Sequence, residues 1–347
     1  MSTGEVLIPT ARGDAVPARE LGHTLSGELI IQETEGMSIN WPDYTWGGRP
    51  EEERIASVVS ILNHCYASGL SSIMDRTIVG TGRNIPRLKK IAQQTKLNII
   101  PSTGIYVLFE LPYYFHYRVE FPELYPGQMT LADFFVRDIE EGVLDTGVKC
   151  ATIKVLSDEY GIERTPHVRQ VFAATAEAHR RTGAPIVTHT VGVFDTHEQQ
   201  RVLSEDGVDL SRVMFGHQDR TFPDVPLDEF EKALDKGSML SFDLWGPGGR
   251  NVLGENLTGR DDSLNRVVAL INKGYTDQLM LSSGWPIAFN DAFSDLFMPD
   301  EGIKPFMTVL DVVVPGLKER GASEADIKKL TDTNAHRFLS TLGKGGY

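Results

Sequence analysis

The run Cys150-Ala151-Thr152-Ile153-Lys154-Val155-Leu156-Ser157-Asp158 sets one lysine in the middle of an apolar stretch. A lysine in a segment that reads as a buried strand is costly unless it is neutralised, paired or hydrogen-bonded. Lys154 therefore needs a partner. Pro185-Ile186-Val187-Thr188-His189 and Val213-Met214-Phe215-Gly216-His217 are apolar runs that each end in a histidine, which is how a parallel strand delivers a side chain to the carboxyl edge of a sheet. Two neutral imidazoles and one group from a neighbouring strand suit a divalent ion such as Zn²⁺. Taken singly, each histidine reads more readily as a hydrogen-bonded core residue; three matching strand ends together reverse that balance and point to a site.

Positioning these residues takes a repeating scaffold. Strand patterns run over His23–Gln32, Ser71–Asp75, Leu97–Tyr106, the Lys154 run, the two histidine runs, Ser238–Asp243 and Gln278–Ser283. Helical patterns separate them, with Asn84, Thr130 and Thr165-Pro166 as start signals and Gly69, Gly183 and Gly274 as stops. Eight such units predict an α/β fold, a single-domain (β/α)₈ TIM barrel over 21–347 behind a polar leader at 1–20. A doubly wound open sheet is the alternative, but Gly80-Thr81-Gly82 lacks the spacing of a dinucleotide loop. In a barrel the strand ends share one mouth, which would gather Glu28, Asp75, Arg76, Tyr106, Lys154, His189, His217, Asp243 and Ser283.

The chain has 347 residues, 41% hydrophobic content, a formal charge of −14 and a sequence pI near 5.1. That balance argues against nucleic acid or an anionic membrane as partner. No apolar run has signal-peptide length, and none approaches the roughly 18 residues of a spanning helix. Cys65 and Cys150 fall within a helix and a strand and read as reduced thiols, so a soluble, cytoplasmic protein is expected.

From Leu21 onward the chain resembles the phosphotriesterase family of the amidohydrolase superfamily, and within it the lactonase group. The resemblance is carried by Gly22-His23-Thr24-Leu25, Gly80-Thr81-Gly82-Arg83, Thr103-Gly104-Ile105-Tyr106, Ile153-Lys154, Thr188-His189-Thr190, Glu198-Gln199-Gln200-Arg201, Gly216-His217, Ser241-Phe242-Asp243 and Asn334-Ala335. It implies two metal ions bridged by a carbamylated lysine, with Lys154 at that lysine and His189 and His217 as ligands of the more exposed ion. Carbamylation would turn a buried cation into an anion able to hold metal. The other half of the implied site is absent. Gly27-Glu28-Leu29 stands where the family has His-x-His, and Gly284 stands where strand eight has a metal-binding, proton-moving aspartate. The acid after His217 comes one place early, in Gly216-His217-Gln218-Asp219-Arg220.

The resulting expectation is a divergent hydrolase with one divalent ion, zinc by preference, on Lys154, His189 and His217. Metal-activated water would attack an apolar lactone or ester. With the usual aspartate gone, His23, Glu28, Asp219 and Asp243 are the substitutes for a general base, with His23 and Asp243 placed beside Lys154 as catalytic candidates. His23 reads more readily as a strand-one residue facing a helix. Tyr106, Phe109, Trp245, Trp285 and Arg220 are the expected substrate contacts, with Trp46 closing over the mouth, and the substrate is expected to be small and uncharged. Arg76, Arg220 and Arg250 are alternative anchors for an anion. Two other readings stay open: carbonyl chemistry, as in a lyase, through a free Lys154 amine, and a ligand-binding barrel without catalysis. The resemblance also implies a homodimer.

Overall fold

The computed structural model describes residues 5–41, 50–108, 110–127, 129–158, 161–245, 259–284, 286–289 and 304–347. Short runs rich in branched apolar residues become strands buried on both faces; Thr152–Leu156, for instance, has all five residues buried. An antiparallel hairpin, β1 (Leu7–Pro9) and β2 (Ala15–Pro17), comes first. The barrel strands follow: β3 (Thr24–Gln32), β4 (Ser72–Asp75), β5 (Asn98–Gly104), β6 (Thr152–Leu156), β7 (Ile186–His189), β8 (Val213–Phe215), β9 (Met239–Phe242) and β10 (Leu279–Leu281). Each pairs in parallel with its sequence neighbour, with helices between, and the fold is a (β/α)₈ barrel. β11 (Pro286–Phe289) continues the eighth strand and pairs with β3 through Pro286 opposite Leu29 and Ala288 opposite Ile31. The ring thus closes through a strand interrupted between Leu281 and Pro286. Side chains seal the seam below the gap: Gly27 N donates to Ser282 Oγ (2.9 Å) and Ser26 Oγ to Leu281 O (3.2 Å).

Residues two apart on a strand share a face, so Val187 and His189 both point inward. Met74, Ile100, Ala151, Val187, Met214, Met239 and Met280 make one buried cluster with Ile8, Leu21 and Phe338. The polar mouth is built on the next inward positions, above this apolar floor. The segment expected as a polar leader is the hairpin that caps the floor: Ile8 is fully buried, Ala11 N donates to Ile99 O (2.8 Å) and Arg12 Nη1 to Leu97 O (3.1 Å). The aromatic-rich stretch after β5 forms the helix Tyr113–Glu120, with Tyr113 and Tyr114 exposed and Phe115 packed on the core. Cys65 and Cys150 are buried free thiols. Among the described residues no helix is long and apolar enough to cross a membrane.

Candidate active site

Lys154 lies inside the barrel on β6, its Nζ donating to the main-chain oxygen of Arg76 (3.3 Å). Burial, and then the nearby Arg76 guanidinium, pulls the amine down to about 7, against the pull of Asp75 and Asp243. His189 closes β7. His217 follows β8 in a left-handed conformation, φ 59° and ψ 36°, and its ring meets that of His189 edge-on at 4.4 Å between centroids. Burial holds both imidazoles below their ordinary pKa, so both are neutral at pH 7. Tyr106 stands beside them, with its ring 5.9 Å from Lys154 Nζ and 6.5 Å from the His189 ring. Arg220 Nη1 donates to His189 Nε2 (3.2 Å).

The deeper half of the mouth is organised by Asp243. One of its oxygens accepts both the backbone N–H and the Nδ1–H of His217, each at 2.7 Å, and the other accepts Arg76 Nη1 at 2.9 Å. Burial opposes its ionisation, but His217 and Arg76 outweigh burial and hold the carboxyl well below the usual range. Arg76 is fixed in turn by Ser26 O, which accepts from Nε (3.1 Å) and Nη2 (2.8 Å) where the pairing of β3 with β4 shifts register between Leu25 and Glu28. A Cβ on Gly27 would lie 1.9 Å from Arg76 Cζ. Glycine is needed there for space, because the guanidinium occupies the volume of a side chain.

Two more carboxyls complete the mouth. Asp219 accepts from Leu244 N (2.7 Å) and Asp243 N (3.3 Å), and burial with the neighbouring Asp243 charge pushes it up to about 7. Glu28 reaches into the gap in the eighth strand. It accepts from Ser282 Oγ (2.5 Å), Ser283 N (2.7 Å), Ser283 Oγ (2.7 Å) and Gly284 N (3.3 Å).

Of the residues expected from sequence, Lys154, His189, His217, Asp243, Tyr106 and Arg220 come together. His23 does not, because it precedes β3 at the amino end of the barrel. Its carbonyl accepts from Ser71 N and Ser72 N, and it lines a groove of about 540 Å³ with Leu310, Val314 and Thr331. Trp245, expected as a substrate contact, packs in the outer core: it is 2% exposed and its Nε1 donates to Phe242 O (2.8 Å). Phe109, Trp285, Trp46 and Arg250 lie outside the described residues. Arg76, expected as an alternative anchor for an anion, is bound internally; that pairing went unread, since its partners Ser26 and Asp243 lie 50 and 167 residues away. The available signal was the pairing of an arginine at one strand end with a glycine on the adjacent strand.

Among the described residues no three His, Cys, Asp or Glu side chains are arranged to hold a metal ion. The mixed set Lys154, His189 and His217 offers two neutral imidazoles and an amine close to neutrality, a donor set that fits one ion once the amine carries a carbamate. His217 Nδ1 is taken by Asp243, which leaves Nε2 for a ligand. The deeper half does not fit an ion, since a fixed guanidinium fills it.

The profile of the phosphotriesterase family matches residues 7–339. A "Phosphotriesterase homology protein" from Mycobacterium tuberculosis is 35% identical over 340 residues, 97% of this chain and 98% of that one. An "Aryldialkylphosphatase" from Saccharolobus solfataricus is 30% identical over 337 residues, covering 96% and 99%. The solved structure of the phosphotriesterase from M. tuberculosis superposes with a TM-score of 0.85 at 33% identity, covering 99% of this chain and all of that one.

Proposed function

The chain belongs to the phosphotriesterase family, and from that premise we propose that it is a hydrolase with a single divalent-ion site on Lys154, His189 and His217, zinc by preference, cleaving an ester or lactone bond in a small uncharged substrate. The observation that carries this reading is the convergence of two neutral imidazoles and a near-neutral lysine on one side of a mouth whose other side is closed by Arg76. An amine near neutrality is free to add carbon dioxide, losing a proton and becoming the anion that the ligand set lacks. A bound divalent ion would polarise the scissile carbonyl or phosphoryl group and acidify water. The protein's own residues do the rest. Asp243 fixes the His217 ring and its tautomer through Nδ1, the kind of support that orients metal-binding histidines. Tyr106 supplies an apolar wall beside Lys154 and His189. Arg220 holds His189 Nε2 until a ligand displaces its N–H.

The test is the metal content of the purified native chain and of the His189→Ala/His217→Ala variant. About one ion per chain, lost in the variant together with turnover of an ester and lactone panel, is expected. Two ions, or none, would overturn the reading. The lowered pKa of Lys154 favours one second reading, a free nucleophilic amine that forms a Schiff base with a carbonyl ligand. Borohydride trapping of such a ligand on Lys154 in metal-free protein would establish that reading.

A further inference from the structure

We infer that Arg76 is a permanent internal cation that takes the electrostatic place of a second metal ion in the deeper half of the mouth. The inference rests on the single-ion reading above and adds what fills the other half. Asp243 is fully buried, and a buried carboxylate stays ionised only against a counter-charge and hydrogen bonds. Arg76 supplies the charge at 2.9 Å, and His217 supplies two N–H groups. Two glycines clear the space, and a third lets the chain pass close to the Asp243 main chain. A Cβ at Gly27 would overlap the guanidinium, with 2.2 Å to both Nε and Nη2. One at Gly216 would lie 3.0 Å from Arg76 Nη1 and 3.0 Å from Asp243 Oδ2. One at Gly284 would lie 2.0 Å from Asp243 O, at a φ of +64° that itself disfavours a side chain. The strands beside the deeper half therefore present no side chain at 27 or 284 that could reach a metal, and the charge such an ion would bring is already there, covalently attached. Guanidinium stays protonated throughout the working pH range and cannot dissociate. That half of the site needs no loading and ignores chelators.

The test compares Arg76→Lys with Arg76→Gln in the full-length chain. Lysine keeps the charge and loses the fork; glutamine keeps polar reach and loses the charge. Breaking a buried pair is expected to lower the melting temperature by roughly 4–7 °C in a chain of this size. Arg76→Gln is therefore expected to melt that far below the native chain, and Arg76→Lys to fall between them. Millimolar guanidinium is expected to raise the melting temperature of Arg76→Ala and leave the native chain unmoved. Bound metal is expected at about one ion per chain in the native protein. A Gln variant that fails to fold beside a folded Lys variant supports the inference. Equal melting of the Lys and Gln variants with one ion bound overturns it and leaves the single-ion reading standing. Lys above Gln with no ion bound overturns the single-ion reading and supports the internal cation. Two ions in the native chain overturn both.

Discussion

Asp219 and Asp243 are both buried and sit a few ångströms apart, yet they titrate in opposite directions. Asp243 has an arginine and a histidine on its oxygens, whereas Asp219 has two backbone N–H groups and the Asp243 charge as neighbour. Its carboxyl rises from 3.8 to about 7. An acid whose pKa is higher in the folded state binds its proton more tightly there, so the associated stability is complete below the unfolded value and disappears as pH climbs through the folded one. Asp219→Asn removes that titration. Relative to the native chain, the variant is expected to gain stability between pH 4 and pH 8 by on the order of 2–4 kcal/mol, at about 1.4 kcal/mol per pKa unit. Urea unfolding of both proteins at the two pH values measures the difference, and an equal offset at both would show that Asp219 keeps an ordinary pKa. Strand-end logic reached Lys154, His189, His217 and Asp243 at this scale because each closes or follows an apolar run. It did not reach the core packing of Trp245, whose place just after a strand says nothing about which side of the sheet its ring enters.

At the scale of elements, β3 and the interrupted eighth strand form the least regular part of the barrel. The register shift in β3 turns Ser26 O toward Arg76, and two residues later Glu28 fills the gap between β10 and β11. Glu28→Ala leaves Ser283 N–H, Gly284 N–H and two serine hydroxyls without that acceptor. Leaving a buried donor unsatisfied costs about 1–3 kcal/mol, with losses that do not simply add. A fall of roughly 2–4 kcal/mol in unfolding free energy is expected, with Glu28→Gln between alanine and native. Near-native stability of the alanine variant would mean that the gap holds itself open. Regular strand interiors were readable from their apolar runs. The gap was not, because Ser282-Ser283-Gly284 reads as the end of a strand, and only Glu28, 254 residues away, reveals what holds it. The hairpin at 7–17 was hidden for a related reason: Arg12, Asp14 and two prolines mask a segment that buries Ile8, Thr10 and Ala11.

The whole molecule is a barrel with two chemically distinct ends. Eight similar units made that architecture legible, since repetition survives errors in any one unit. The site was legible only as far as strand ends go, because which ends carry chemistry together is settled by packing across the barrel. Period-two alternation lays an apolar floor of Met74, Val187, Met214 and Met280 beneath the ionisable mouth, so a buried apolar layer separates the two ends. His23 lies on the far side of that floor, beside the groove formed with Leu310, Val314 and Thr331. In barrels the carboxyl face carries chemistry and the amino face carries stability. His23→Ala is therefore expected to leave turnover within about two-fold of native, while any loss appears in melting temperature. His189→Ala in the same assay sets the scale of a mouth residue. A drop in the His23 variant comparable with that of His189→Ala, at unchanged melting temperature, would show that the floor does not insulate the two ends and that the groove communicates with the mouth.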